Sequence, residues 1–349
     1  MPKNQYFYTR KTLDGWRNDQ IVTLSTELIL KAADELGITW KILPGTRIIE
    51  LKYHDQIKYF RYQISTETKD VGFYACEDKS VTNNLLEKQG ISVPKGYSLT
   101  RADNELYWRA VFDALTKPLV VKPTHGNQGN AVFLGITTYE AYQEAVKKAL
   151  AFSTLKEAGV MVEETFNGQE YRILATRQKV LGIVYRMPAN VTGDGGQTIS
   201  QLIDQKNTDP RRGDDDSFAL FIIHKDDDVI KTLAAQNLTL ESIPAAGQQI
   251  FVRRVSNIAK GGDSIDVTDK AHPDVLRIAQ QAINALPGLD FAGIDLMTKD
   301  IAAPQTTDSY VIVEVNSSPG FCIQEFPFLG QPRRAQYEFL KLAFPDLPI

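Results

Sequence analysis

The chain has 349 residues, 43% of them hydrophobic, and its 39 Lys and Arg against 43 Asp and Glu give a formal net charge of −4. This composition predicts about two globular domains, and the charge gives no case for a nucleic-acid or membrane partner. The two cysteines form no CxxC motif, and the chain has neither a signal-type segment nor an apolar run long enough to span a membrane. We therefore expect a cytoplasmic protein without a disulfide framework or zinc site.

The N-terminal part, residues 1–75, is predicted to be a small α/β unit. A helix capped by Ser25 carries apolar residues on one face and stops at Gly37. A strand at 40–43 and a hairpin with arms at 47–52 and 57–63 follow. A second unit, 76–349, is predicted to open with a helix capped by Asp78 or Ser80.

Residues from about 99 to 163 are predicted to form a lid, in the order helix, strand, glycine-rich loop, strand, helix, strand. The lid strands flanking the loop are placed at 119–122 and 131–134. Residues 164–349 are predicted to be the catalytic part, with strands at 171–176 and 180–187 and helices at 198–206 and 272–286. The acid-rich stretch 214–228 is predicted to be a solvated loop, and recruitment of a basic amine donor is the alternative.

A lysine and a glycine-rich loop follow the first lid strand. Lys122 ends that strand, and glycines in the loop let backbone amides approach an anion closely. This pattern predicts a phosphate-covering flap, although a plain hairpin turn with a surface lysine is the alternative. No Gly-Lys-Ser/Thr closes the loop, so the Walker pattern is absent. The loop consists of Gly126, Asn127, Gln128 and Gly129.

The segment Val160-Met-Val-Glu-Glu-Thr-Phe166 is an apolar strand that runs into paired acids. A crossing of this kind can offer backbone groups to an adenine edge, with Glu170 placed to accept from ribose hydroxyls. A simple strand, turn and strand is the alternative.

Two apolar strands near the C-terminus carry oxygen ligands. Alternation along 311–316 predicts that Glu314 and Asn316 lie on one face together with Ile312. If the strand around Asp295 pairs beside this one, then Asp295, Glu314 and Asn316 converge, and such a donor set suits Mg²⁺. A satisfied polar cluster at the strand ends is the alternative.

Longer motifs give the chain a family resemblance. These are Tyr185-Arg-Met-Pro-Ala-Asn-Val-Thr-Gly-Asp-Gly195, Asn207-Thr-Asp-Pro-Arg-Arg-Gly213 and Gly261-Gly-Asp-Ser-Ile-Asp-Val-Thr-Asp269. With the pieces above, they resemble ATP-grasp ligases, in particular the ATP-grasp part of cyanophycin synthetase and the C-terminal half of bifunctional glutathione synthetase. The resemblance runs from about Leu24 to Leu347. It implies an α/β (α+β) ATP-grasp fold.

The resemblance also implies roles for individual residues. It assigns the nucleotide phosphates to Lys79, Lys122 and the 126–129 loop, the adenine to a hinge of Glu163, Glu164 and Phe166, and the ribose to Glu170. It assigns Mg²⁺, with Mn²⁺ as an alternative, to Asp295, Glu314 and Asn316. It assigns contacts with transferred phosphate or substrate carboxylate to Arg172, Arg186, Arg254 and Asn257.

The implied activity is an ATP-dependent ligation of a carboxylate and an amine through an acyl phosphate. The substrates would be an amino acid or short peptide and ATP, and glutathione formation is one option. Alternatives are phosphotransfer to a hydroxyl and nucleotide binding without turnover. We expect a free-standing ATP-grasp unit without the relatives' additional catalytic module, and a homodimer is compatible with the resemblance. Lys260 has two interpretations, a substrate contact or a surface lysine.

Overall fold

The computed structural model describes residues 23–65, 67–126, 129–152 and 158–349. Within them the helices are α1 Leu24–Glu35, α2 Asp70–Glu77, α3 Lys79–Glu87, α4 Glu105–Ala114, α5 Tyr139–Phe152, α6 Ile199–Asn207, α7 Asp227–Ala234, α8 Pro273–Ala285, α9 Cys322–Glu325 and α10 Ala335–Ala343. The strands are β1 Thr39–Ile42, β2 Ile48–Tyr53, β3 Gln56–Arg61, β4 Ile64–Ser65, β5 Gly96–Leu99, β6 Leu119–Pro123, β7 Phe133–Ile136, β8 Val160–Glu164, β9 Gln169–Thr176, β10 Val180–Met187, β11 Asn190–Thr192, β12 Arg212–Gly213, β13 Leu220–Phe221, β14 Gln249–Phe251, β15 Asp263–Asp266, β16 Phe291–Thr298 and β17 Tyr310–Asn316.

The N-cap of the N-terminal helix α1 lies two residues earlier than predicted. Its N-cap is Thr23, whose hydroxyl accepts from the Thr26 amide at 3.3 Å. The prediction of Ser25 as the cap is therefore wrong, because the Ser25 hydroxyl accepts from the backbone N–H of Phe321 at 3.1 Å. Ser25 instead ties α1 to the loop that follows β17.

Strands β1 to β4 form an antiparallel sheet whose core is shared with the C-terminal end of the chain. The Phe60 ring lies edge-on to Phe339 of α10 at 5.8 Å between centroids. Tyr53 packs in the same way against Phe344 at 5.7 Å. Residues on both sides of the predicted boundary at residue 75 thus bury one another, and the division at that point stays a prediction.

The strands of the predicted lid form their own sheet, in the order β5, β8, β6, β7, with α4 and α5 packed against it. The predicted order of elements is found, although β7 begins at Phe133 rather than at 131. Ala131 has a positive φ of 53°, which an extended strand does not accommodate. The apolar core of this part is drawn from residues 99 to 162, and the lid boundaries themselves stay predictions.

The central sheet is antiparallel, in the order β15, β10, β9, β16, β17. Helix α8 covers one face, where its apolar side meets Ile173, Ile183 and Ile294. Helices α1, α9 and α10 cover part of the opposite face, around Leu174 and Phe291. The remainder of that second face carries charged side chains, and the candidate site lies there.

The acid-rich stretch 214–228 does not remain a loop throughout. Asp226 caps α7 by accepting from the Val229 amide at 3.2 Å, and its other oxygen lies 2.6 Å from buried Arg253. The end of the stretch is therefore structural. No helix in the described ranges has both the length and the apolar character required to span a bilayer.

Candidate active site

The predicted pairing of the two oxygen-bearing strands is confirmed. Strands β16 and β17 are antiparallel neighbours, with Asp295 opposite Glu314 and Gly293 opposite Asn316. Directly opposed residues of an antiparallel pair project to the same face, and so do residues two apart. Asp295, Glu314 and Asn316 therefore share one patch of the charged face.

The predicted alternation along β17 is wrong at Ile312. The register with β16 shifts between Asp295 and Leu296, so that Ile312 pairs with Leu296 while Glu314 pairs with Asp295. A β-bulge of this kind inserts one extra residue and reverses the facing of everything beyond it. Ile312 consequently joins the apolar core under α8 together with Val315.

Asp295 is contacted by side chains of the neighbouring strand β9 and of the next strand, β10. It is 4% exposed, and Arg172 on β9 reaches both of its oxygens, with Nη2 at 3.0 Å from Oδ2. Arg186 on β10 adds a contact of 3.3 Å to Oδ2. Burial alone would raise the pKa of Asp295, but the two guanidinium groups and Lys79 hold that pKa below its usual range. The carboxylate is therefore kept ionised, as a cation ligand must be.

Lys79 connects strand β17, which carries Glu314, to the glycine loop. Its ammonium lies 3.1 Å from Glu314 Oε1 and donates to the Gly126 carbonyl at 2.7 Å. Its backbone N–H also donates to the Thr124 carbonyl at 3.0 Å. One side chain thus joins the two halves of the site, which are far apart in sequence.

The donor chemistry of the trio fits Mg²⁺, because two carboxylates and an amide oxygen are hard oxygen ligands. The Asn316 amide nitrogen lies 3.5 Å from the Gly293 carbonyl, which leaves the amide oxygen for another partner. Across the described part of the chain, no group of three or more His, Cys, Asp or Glu could hold a metal ion. The assignment therefore depends on Asn316 as well as on the two acids, and it stays a prediction.

Glu170, predicted to hold the ribose, lies at the edge of the same charged face. It forms an ion pair with Arg186 and accepts from the hydroxyl of Ser256. The structure thus brings Arg186 between Glu170 and Asp295. Ser256 was missed by the sequence reasoning, since it sits in an irregular segment with no periodicity, and its only signal was proximity to Asn257.

The lid contributes a buried ion pair. Lys122 on β6 lies 2.8 Å from Glu163 on β8, and their side chains are only 6% and 3% exposed. The second oxygen of Glu163 is buried and has no hydrogen-bond partner within the described ranges. Such an orphaned acceptor is costly unless a ligand or water donor reaches it. The residues predicted to meet phosphate and adenine are therefore adjacent in the structure.

The rest of the predicted adenine hinge is half-exposed. Glu164 accepts from Lys95 at 2.8 Å and from the Thr116 amide at 3.0 Å, and the Lys95 hydrogen bond lowers the Glu164 pKa against the smaller opposing effect of burial. Phe166 is half-buried. Gly126 and Gly129 both have positive φ, at 146° and 75°, as a tight loop requires. Asn127 and Gln128 lie outside the described residues.

Two of the predicted catalytic residues are not brought into contact with the others. The oxygen of Asn257 caps a short 3₁₀ turn by accepting from the Ala259 amide at 2.9 Å. Arg254 and Lys260 are exposed, and neither side chain has a hydrogen bond or ion pair within the described residues. The catalytic roles of Arg254 and Asn257 stay predictions.

Neither cysteine is set up as a nucleophile. Cys76 is buried, and the cost of desolvating a thiolate there raises its pKa to about 12. Burial likewise raises the pKa of Cys322, which follows the metal strand closely. The site therefore consists of cations, carboxylates and a glycine loop, an arrangement that suits phosphate and metal chemistry.

Comparison with known proteins identifies the fold to which this architecture belongs. No protein-family model matches the chain. In the crystal structure of a bifunctional glutathione synthetase from Pasteurella multocida, 93% of this chain superposes with a TM-score of 0.73 and 31% sequence identity. The chain has the ATP-grasp fold.

Its similarity in sequence is to two kinds of curated protein. The chain is 33% identical over 333 residues, 95% of its length, to cyanophycin synthetase from Trichormus variabilis. It is 33% identical over 348 residues, 98% of its length, to the glutathione biosynthesis bifunctional protein of Pasteurella multocida. These matches cover 36% and 44% of the respective relatives, so the chain spans well under two thirds of the proteins that it resembles.

Proposed function

We propose that the protein is an ATP-dependent ligase that joins a carboxylate to an amine. The single observation that carries the proposal is the double contact of Lys79, to Glu314 on the metal strand and to Gly126 in the glycine loop. A cation placed between a candidate metal ligand and a loop that could cover phosphates fits a nucleoside triphosphate site. The names of the relatives, a synthetase and a glutathione biosynthesis protein, support the same class of reaction.

The chemistry follows from the carboxylate substrate. A free carboxylate is a poor electrophile because its leaving group would be oxide. Transfer of the terminal phosphate of ATP to the carboxylate gives an acyl phosphate and ADP, and attack by the amine then forms the amide and releases phosphate. Asp295, Glu314 and Asn316 would hold Mg²⁺. When bound, this ion would neutralise negative charge at the phosphates.

The residues of the chain have separate tasks in this scheme. Lys79 and Lys122 bind phosphate oxygens, and Arg172 and Arg186 orient Asp295 and neutralise developing charge. The lid excludes water, because the acyl phosphate would otherwise hydrolyse. The substrate class is an amino acid or short peptide, with γ-glutamylcysteine and glycine as one pair to test. The cytoplasmic location and the homodimer stay predictions.

Hydroxylamine trapping tests the proposal. ATP-dependent formation of a hydroxamate across a panel of amino acids and peptides requires an acyl phosphate, so its presence supports a ligase. Phosphorylation of a hydroxyl substrate without any hydroxamate would instead identify a phosphotransferase, and binding of ATP without turnover would identify a non-catalytic protein.

A matched pair of variants ties the activity to the site. Glu314→Gln removes one charge at a partly exposed position, and we expect ATP turnover to fall at least about 100-fold with the Mg²⁺ dependence shifted to higher concentration. Glu241→Gln makes the same change at an exposed glutamate that is not a site residue, and it should leave turnover unchanged. Equal turnover in both variants would contradict the metal assignment.

A further inference from the structure

His125 lies at the base of the glycine loop and has no role in the function proposed above. It follows Thr124 and precedes Gly126, the residue whose carbonyl receives the Lys79 ammonium. Its side chain is 27% exposed and, within the described residues, has one hydrogen bond, between Nδ1 and the Thr124 hydroxyl at 3.0 Å. His125 is therefore the chain neighbour of the residue that binds the cation joining the two halves of the site.

The surroundings of Thr124 determine which ring nitrogen carries the proton. Thr124 is 3% exposed, and its hydroxyl oxygen accepts from the Gly159 amide at 3.1 Å. If His125 Nδ1 also donated to this oxygen, the buried hydroxyl proton would have no acceptor among the described residues, at a free-energy cost. The hydroxyl therefore donates to Nδ1, which places the imidazole proton on Nε2.

Asp78 does not reverse this assignment. Its Oδ2 lies 3.7 Å from His125 Nδ1, beyond hydrogen-bond range. Its Oδ1 already accepts from the Ser80 and Val81 amides at 2.8 and 3.3 Å as the cap of α3. Nε2–H is then a donor that has no acceptor in the described part of the chain.

We propose that His125 is a further nucleotide-binding residue, which donates from Nε2 to a phosphate oxygen of the bound nucleotide. The inference rests on the proposed function, because it needs a nucleotide in this site. Thr124 fixes the tautomer, and the Gly159 amide fixes Thr124. The contact needs no protonation of the imidazole and adds a directed hydrogen bond to the charge of Lys79.

Two substitutions separate the ring nitrogens. His125→Gln places an amide N–H near the position of Nε2, whereas His125→Asn places one near Nδ1 and leaves Nε2 without a counterpart. We expect His125→Asn to weaken ATP and ADP binding about tenfold, and His125→Gln to stay within about twofold of the wild type. Isothermal titration calorimetry measures both, and equal melting temperatures confirm that both variants are folded.

Adenosine is the control ligand, because it lacks phosphates. Its affinity should be the same in the wild type and in both variants. Equal ATP affinity in the wild type and His125→Asn, or a tenfold loss that also affects adenosine, would overturn the inference while leaving the proposed function intact. Failure of the wild type itself to bind ATP would overturn both.

Discussion

Arg172 and Asp295 are directly opposed on the neighbouring strands β9 and β16, and the guanidinium of Arg172 contacts both oxygens of Asp295. The two side chains are 15% and 6% exposed. This bidentate pair fixes the orientation of a predicted metal ligand before any ligand binds. It also means that the two residues cannot be altered independently without consequences for the fold.

Asp295→Asn should therefore destabilise the protein as well as inactivate it. The change leaves the buried guanidinium of Arg172 without its counter-charge, which typically costs about 3–5 kcal/mol. We expect that loss in the free energy of unfolding measured by urea denaturation. The double variant Arg172→Met, Asp295→Asn should recover most of the stability but none of the turnover, and a single variant as stable as the wild type would contradict the pairing.

The lid pair of Lys122 and Glu163 permits the same separation of stability from binding. Lys122→Met strands a carboxylate that is almost fully buried, so the unfolding free energy should fall by about 3–5 kcal/mol. Adding Glu163→Gln should restore stability, because the uncompensated charge is removed. ATP affinity should remain weakened in the double variant. Calorimetric ATP affinity equal to that of the wild type would show that Lys122 is only structural.

Gly293 lies on β16 opposite Asn316, where it approaches the loop that follows β17. A Cβ at this position would lie 2.6 Å from Pro319 Cβ and 3.2 Å from Arg172 Cδ. Gly293→Ala should therefore push the loop or Arg172 away, with a loss of about 1–3 kcal/mol in unfolding free energy and a large loss of turnover. Gly196→Ala is the control, because its nearest neighbour is at 3.9 Å. Similar melting temperatures for the two variants would refute the close approach.

The pair of Arg333 and Asp266 predicts a pH-dependent contribution to stability. Arg333 Nε lies 2.9 Å from Asp266 Oδ1. Burial would raise the pKa of Asp266, but its hydrogen bonds, with Arg333 first, lower that pKa overall. A carboxyl whose pKa is lowered in the folded state adds stability above its unfolded pKa of about 4, and this contribution is lost as the pH falls below that value.

Arg333→Met should therefore cost about 3 kcal/mol at pH 7. The difference from the wild type should narrow below about pH 4, once Asp266 is protonated. Urea denaturation at both pH values measures it. Arg277→Met removes an exposed pair with Asp274 and should leave the free energy of unfolding nearly unchanged at either pH. A difference that does not change with pH would contradict the role of Asp266.

Much of this fold follows from local sequence signals. Strand β10 has the predicted bounds, and α6 and α8 each begin one residue after the predicted start, where Thr198 and His272 serve as caps. Apolar periodicity and cap residues are local, so they can be identified without knowing the tertiary structure. Convergence of Asp295 and Glu314 was also predictable, since it required only that two apolar strands pair.

The features that were missed depend on long-range contacts. The bulge in β17 arises from the register with β16, which no pattern within 311–316 reveals. The cap signal at Ser25 is misleading, because the hydroxyl's actual partner, Phe321, is distant in sequence. Likewise, the contact of Ser256 with Glu170 joins an irregular segment to a strand. Alternation predicts facing only where the ladder is regular.

The apolar core shared by α1, the first sheet and α10 has a consequence for biosynthesis. Helix α1 and strands β1 to β3 are synthesised well before their partners Phe339 and Phe344, because the lid and the central sheet lie between them in sequence. Until those partners are made, the nascent N-terminal segment exposes the apolar surface that they later cover. We expect this shared core to need chaperone protection until α10 has been synthesised.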